Sequence, residues 1–291
     1  MKTWSMPVSA VKNVTVPCYV CGASVFKPAL KCEGFFFVRC IKCGLIQRNP
    51  QPEKDEIIAR YSSIFGRDYL SYELENEAVF LKLQQLALKD VKFEKLEKHL
   101  FAQTGNKNIA GIPPSILDIG CATGALLAFF RNRGWRVTGV EISPSAEYAK
   151  KERGLDIKNI PLEEINFPAN SFDVIHASHL IEHLNNPITF ISETYRILKE
   201  NGSIFITTPN ISGFQARLFG NAWRSAIFDH LYLFSKRILS KLLINTGFKI
   251  ECCRTWGGLA AGTAPLQLKK TADFLAKHFG CGDVMIIHAR K

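Results

Sequence analysis

Short apolar runs alternate with segments of helical period along most of this chain. Runs at 116–119, 136–140, 156–158, 172–177, 203–207, 248–254 and 283–289 predict strands. Between them, 124–133, 144–153, 187–199, 235–246 and 265–279 predict helices. Such alternation builds a mostly parallel sheet with helices on both faces. The pattern before residue 115 is different. Residues 1–16 read as a loose tail, and Asn49-Pro50-Gln51-Pro52 breaks the chain. Residues 53–64 predict a helix carrying Ile57, Ile58 and Tyr61. In 71–101, Val79, Leu83, Leu86 and Phe93 recur at helical intervals, predicting one long or two shorter packing helices. A Gly/Pro/Asn-rich linker follows over 103–115. The expected division is 17–49, 50–114 and 115–291.

Composition narrows the class. With 291 residues, 47% hydrophobic and 22% charged, the chain suits a globular protein rather than a disordered or fibrous one. No apolar run approaches the roughly eighteen residues of a membrane helix. The start, MKTWSMPVSAVKNV, has no continuous apolar core of a secretory signal, so a cytoplasmic location is expected. The net charge is +11, and the first fifty residues hold seven Lys/Arg against one acid. That balance suits a polyanion such as RNA, or a phosphorylated small molecule.

Nine cysteines without a secretion signal argue against a disulfide framework. Cys18-x-x-Cys21 and Cys40-x-x-Cys43 are separated by eighteen residues, the spacing of a zinc ribbon. Each C-x-x-C turn presents two thiolates, and two turns complete a tetrahedron. Gly22 and Gly44 follow the second cysteine of each pair, where the turn calls for positive φ. Four protein ligands close such a site, so its zinc would be structural. The duplication argues against a redox dithiol, and Cys32 has no spaced partner.

The segment Ser115-Ile-Leu-Asp-Ile-Gly-Cys-Ala-Thr-Gly124 runs a buried strand into a glycine turn and then a helix. Backbone N–H groups at such a turn can meet a ligand. The dinucleotide pattern G-x-G-x-x-G and the phosphate loop are both absent. Asp118 before the turn would repel pyrophosphate and suits a cationic ligand. Glu141 ends the next strand, where an acid can hold ribose hydroxyls. Together these resemble the class I S-adenosylmethionine-dependent methyltransferases, with Ala122 in place of the middle glycine of their E/D-x-G-x-G-x-G pattern. Ser171–Ile175, Ile197–Gly202 and Gly282–Met285 extend the resemblance over 115–291. It implies an α/β fold, a Rossmann-like seven-stranded sheet with helices on both faces, preceded by a small zinc ribbon and a helical segment. It also implies S-adenosyl-L-methionine as cofactor. Gly120, Cys121, Ala122 and Gly124 would hold its methionine part, with Asp118 beside them and Glu141 on the ribose. Ile142 would flank the adenine, Leu162 and Glu163 would reach its edge, and Ala177 and His179 would lie below the methyl group.

His179-Leu-Ile-Glu182-His183 matches the H-x-x-E-H string of some zinc peptidases. It follows the strand 172–177 at its carboxyl end, which in an open α/β sheet is the ligand crevice. A hydroxyl acceptor needs its proton removed, a task for a histidine. His183 and His230 are the candidate bases, with Glu182 as orienting partner, and Asn210–Phe234 is the candidate substrate wall. The ribbon with Cys43-Gly-Leu-Ile-Gln47 resembles enzymes of bacterial sugar and surface-polysaccharide pathways, which implies a small-molecule, sugar or glycan acceptor. An RNA methyltransferase with the ribbon as its RNA grip is the alternative. A non-catalytic S-adenosylmethionine-binding protein is the third reading.

Overall fold

The computed structural model describes residues 12–62, 64–104, 111–258 and 265–291. Parts of the expected tail and of the 103–115 linker therefore lie outside the described residues. The first strands are β1 (Asn13–Val14), β2 (Phe26–Cys32), β3 (Phe35–Cys40), β4 (Ile46–Arg48) and β5 (Gln51–Pro52). Three helices follow: α1 (Lys54–Ser62), α2 (Ile64–Asp90) and α3 (Phe93–Thr104). Next come β6 (Ser115–Ile119), α4 (Ala125–Arg131), β7 (Arg136–Val140), α5 (Ser145–Arg153), β8 (Ile157–Lys158), α6 (Leu162–Ile165) and β9 (Phe172–Ser178). The remainder is α7 (Pro187–Ile197), β10 (Leu198–Pro209), α8 (Phe214–Phe219), β11 (Tyr232–Leu233), α9 (Lys236–Thr246), β12 (Lys249–Trp256), α10 (Leu266–His278) and β13 (Val284–Arg290).

Among the described residues, seven strands form one sheet in the order β12-β13-β10-β9-β6-β7-β8. The pairs from β10 through β8 are parallel, while β13 runs antiparallel to both β10 and β12. This is the expected α/β architecture. Alternate side chains of each strand serve opposite faces. Ile116, Val174, Phe205 and Ile286 pack with α2, α3 and α4. Leu117, Ile175, Ile204, Ile206 and Ile287 pack with α7 and α9. Chain order reverses between β6 and β9, so the crevice of the sheet opens at their carboxyl ends.

The helical segment breaks near Lys92, whose φ is 61°, giving two helices rather than one. Its packing face differs from the expected one. Val79, Leu83 and Leu86 are exposed, while Phe93 is buried as expected, together with Ala87, Leu88 and Val91. The same inward stripe carries Glu73 and Glu77, about two and a half and three and a half turns from the start of α2, so polar residues there are partly covered by protein.

The four-cysteine segment folds into an antiparallel sheet in the order β11-β4-β3-β2. Its fourth strand, β11, comes from residues 232–233, beyond the ends of β6 and β9. Phe37, Ile46, Trp223 and Leu233 form the small core beneath it.

Candidate functional site

The turn after β6 is held open by left-handed backbone. Gly120 has φ 74°, Ala122 46° and Gly124 75°. A side chain on Gly124 would meet Leu155 at 2.5 Å and Ala149 at 3.2 Å, so close helix packing also requires the glycine. Ala122 occupies a conformation that favours glycine, and its lone methyl is the smallest departure from it.

Glu141, at the end of β7, is buried, and each of its oxygens accepts one backbone N–H. Oε2 takes Ala122 at 2.9 Å and Oε1 takes Ser143 at 2.8 Å. Each oxygen keeps a further lone pair for a ligand hydroxyl. Asn159 Nδ2 donates to the Glu141 carbonyl at 2.6 Å. Among the other expected residues, Ile142 is partly buried beside it, Leu162 is buried in the core, and Glu163 is exposed. Cys121 is buried against α4 and α5, with its thiol pushed up by burial and by the nearby Asp118 and Glu141 charges.

Asp118 lies just before the turn, as the sequence suggests, and already has a protein partner there. It is buried, and His176, its direct neighbour on β9, donates from Nδ1 to Oδ1 at 2.7 Å. The carboxylate thus has a partner inside the sheet before any ligand arrives.

Sequence reasoning missed the contribution of α2. Glu77 accepts the Thr123 hydroxyl at 2.6 Å and the Arg153 guanidinium at 2.6 Å, tying the helix to the glycine turn and to α5. One turn earlier, Glu73 has its carboxyl raised above the usual range. Burial is the main cause, opposed by a Tyr69 hydrogen bond and reinforced by Glu141 and Glu77. The i,i+4 spacing of Glu73 and Glu77 was visible, but on a charged helix it looks like a solvated face. Crowded acids and a glycine turn fit a cationic, ribose-bearing group such as S-adenosylmethionine.

Beyond β9 the chain turns sharply. His179 has φ 52° and is half exposed, Ala177 is buried, and Leu180 packs onto Gly120. Glu182 is 1% exposed; Oε1 meets His179 Nδ1 at 3.2 Å and Oε2 accepts the Thr208 hydroxyl at 2.9 Å. Burial opposes its ionisation, yet the His179 hydrogen bond and the surrounding histidines win, lowering its pKa to about 2. His183 Nδ1 lies 3.0 Å from the Asp229 carbonyl and 3.3 Å from the Tyr61 hydroxyl. His230 Nδ1 lies 2.7 Å from the Ser225 carbonyl. A carbonyl only accepts, so both rings carry hydrogen on Nδ1 and a lone pair on Nε2. Their centroids are 4.7 Å apart. Burial, then electrostatic repulsion from the neighbouring His183 site, lowers the His230 pKa to about 3, so it is neutral near pH 7.

The H-x-x-E-H string does not converge as a peptidase site would. The groups that converge are Glu182, His183 and His230, with ligand atoms within 4.8 Å of one another, close enough to hold a small cation. At the other end of the chain, Cys18, Cys21, Cys40 and Cys43 likewise gather within 4.8 Å. The Cys18–Cys43 and Cys21–Cys40 sulfurs are 3.4 and 3.5 Å apart, and all four are free thiols. With Zn–S bonds near 2.3 Å, a tetrahedron needs sulfurs about 3.8 Å apart, so the cluster fits a zinc ion.

This sheet order, with a glycine turn at β6 and an acid at the end of β7, defines a class I S-adenosylmethionine-dependent methyltransferase. The chain belongs to the methyltransferase domain family, whose model matches residues 76–252, more than half of it. The match begins inside α2, earlier than the expected boundary at 115. The chain is 35% identical over 105 residues to the mitochondrial ubiquinone biosynthesis O-methyltransferase of Rattus norvegicus, covering 33% of this chain and 30% of that one. It is 27% identical over 172 residues to the ubiquinone biosynthesis O-methyltransferase of Idiomarina loihiensis, covering 56% and 63%. The chain thus spans between 30% and 63% of these curated relatives. A solved S-adenosylmethionine-dependent methyltransferase from Archaeoglobus fulgidus shares the fold, with a TM-score of 0.53 and 17% identity over 76% of this chain and 99% of that one. Among the described residues, no helix is long and apolar enough to cross a membrane.

Proposed function

We propose that this chain transfers a methyl group from S-adenosylmethionine to a hydroxyl of a small-molecule acceptor, with a sugar or glycan among the candidates. The observation that carries this reading is the Glu182–His183–His230 cluster, which begins two residues after Leu180, the residue packed against Gly120. Bound S-adenosylmethionine supplies an activated methyl group on its sulfonium. Glu141 would hold the ribose through the free lone pairs of its carboxylate, and the 120–124 turn would cradle the methionine part. Ile142 and Glu163 would line the adenine end, with Leu162 packed in the core. Ala177 and His179 would lie nearest the transferred methyl, and Leu180 packs against Gly120.

His183 removes the acceptor proton at Nε2, since Nδ1 is committed to the Asp229 carbonyl. The Glu182 carboxylate stabilises the imidazolium that results. His230 is more buried and harder to protonate, so its role is to shape the pocket and orient His183. Acceptor and methyl must be held in line and away from water, which Tyr61 and the helices α1 and α2 would help to do. The names of the O-methyltransferase relatives support an oxygen acceptor. The four cysteines are assigned to a structural zinc ribbon over 17–49, followed by a helical connector over 50–114 and the catalytic domain over 115–291. A cytoplasmic location is part of this proposal.

The test is label transfer from methyl-tritiated S-adenosylmethionine into fractionated lysate of a strain lacking the protein. Alkali-stable label in small-molecule, nucleotide-sugar or glycan fractions supports the reading and names the acceptor class. Label in RNA overturns it.

A further inference from the structure

One nine-residue stretch, 225–233, is gripped from two sides. On the catalytic side, the Ser225 carbonyl faces His230 Nδ1 and the Asp229 carbonyl faces His183 Nδ1, while Leu231 N–H donates to the Glu182 carbonyl at 2.7 Å. On the ribbon side, β11 pairs with β4, placing Tyr232 opposite Gln47 and Leu233 opposite Ile46. The next residue of β4 is Arg48, 2% exposed. Its backbone N–H donates to the Leu231 carbonyl at 2.8 Å, and its Nη1 donates to the Phe228 carbonyl at 2.8 Å. Its guanidinium lies 3.9 Å from the centre of the Phe228 ring, and its Nη2 donates to Asn13 Oδ1 at 3.2 Å.

These contacts alternate along the segment. Carbonyls 228 and 231 point to Arg48, while carbonyls 225 and 229 point to the two histidines. Arg48 therefore fixes the peptide planes on either side of the Asp229 carbonyl that sets the His183 tautomer, and one plane three residues beyond the Ser225 carbonyl that faces His230. Burying a guanidinium is costly unless its donors are satisfied and its flat face is covered. Phe228 gives a carbonyl to Nη1 and a ring to the flat face, and Asn13 takes Nη2, while Nε has no hydrogen-bond partner among the described residues; the guanidinium is thus tied to this short segment.

We propose that Arg48 is a positioning residue for methyl transfer, holding Phe228–Leu231 so that His183 and His230 keep hydrogen on Nδ1 and their Nε2 lone pairs free in the acceptor site. The ribbon then acts as one wall of the site rather than as a grip for a remote partner. The inference rests on the base assignment above for its catalytic consequence, but not for its structural one.

The experiment compares the zinc-loaded full chain with Arg48→Met and Arg48→Lys by imidazole nitrogen NMR, cofactor calorimetry and turnover. Arg48→Met should leave cofactor affinity within about twofold, because the Arg48 contacts described above run to the 228–231 segment and Asn13. It should abolish the hydrogen-bonded Nδ1–H signals of His183 and His230 and lower kcat about ten- to hundredfold, the scale of a misplacement near 1 Å. Arg48→Lys keeps the charge but loses the planar fork, so it should fall between the two. If Arg48→Met does not fold, Arg48→Lys carries the test. Unchanged imidazole signals in a folded variant overturn the proposal. Full turnover in His183→Ala, by contrast, would remove His183 as base while leaving the NMR result standing, so the two ideas fail separately.

Discussion

Thr123, in the glycine turn, donates its hydroxyl to Glu77 of α2 across 2.6 Å, so a helix outside the sheet fixes the turn's geometry. The same Glu77 carboxylate receives Arg153 from α5. Hydrogen bonds to charged groups contribute about 1.5–3 kcal/mol. Thr123→Val removes the hydroxyl at nearly constant volume. We expect it to weaken S-adenosylmethionine binding by about three- to thirtyfold by calorimetry, with turnover restored at saturating cofactor. An unchanged Kd would mean that the turn holds its shape without α2.

Asp118 and Glu141 should part company under mutation. Glu141→Ala removes a carboxylate whose oxygens face the glycine turn, so cofactor affinity should fall about ten- to hundredfold. Asp118→Ala instead leaves the buried His176 without its partner. The expected cost is about 1–3 kcal/mol of stability, read as a lower denaturation midpoint. Cofactor affinity of the folded protein should change far less than in Glu141→Ala. A large affinity loss in Asp118→Ala without loss of stability would restore it to direct contact with the ligand.

The two histidines should also separate. His183→Ala should lower kcat by about a hundred- to ten-thousandfold, the usual worth of a general base, at unchanged cofactor Kd. His230→Gln should reduce turnover less, because a histidine with pKa near 3 carries no proton at neutral pH. Equal losses in both variants would point to a shared role.

Acid should destabilise the fold through this cluster. His230 titrates near 3 in the fold against 6.5 as its ordinary value, so the unfolded chain binds the extra proton between those limits. Stability therefore falls as pH drops through that window. Glu182, near 2 against 4.5, adds the same sign between pH 4.5 and 2. Denaturation midpoints measured from pH 7 to 5 should fall less steeply for His230→Gln than for the unaltered chain. Parallel slopes would remove His230 as the source.

Much of this was legible in the sequence. Strands of this sheet are short runs rich in apolar residues, so β6, β7, β9 and β13 lie within a residue or two of their expected limits. The glycine turn and the paired C-x-x-C motifs are local and announce themselves by spacing. What stayed hidden depends on contacts far apart in the chain. The Asp118–His176 pair spans 58 residues and joins neighbouring strands whose order no local pattern gives. Glu73 and Glu77 look like a wetted helix face until the turn is laid against them. Val79, Leu83 and Leu86 have the right period but the wrong face, because Glu77, Phe80, Gln84 and Leu88 form the inward row. The two-residue strand β11 has no signature of its own and exists only because β4 offers it an edge.

That edge gives the zinc site its most direct test. The cysteine segment is too small to hold a fold by burial alone, and a four-thiolate zinc would supply much of its stability. Losing the ion should loosen β4, then β11, then the 225–231 carbonyls that face His183 and His230. We expect the purified chain to hold about one zinc, and Cys40→Ser/Cys43→Ser to lose it. Turnover should drop with the zinc content while S-adenosylmethionine affinity stays within about twofold, because the glycine turn and Glu141 belong to the seven-stranded sheet, which shares no strand with the ribbon sheet among the described residues. A loss of cofactor affinity equal to the loss of turnover would mean that the whole chain had unfolded. Normal turnover without zinc would make the ribbon an appendage and leave Arg48 to hold the wall alone.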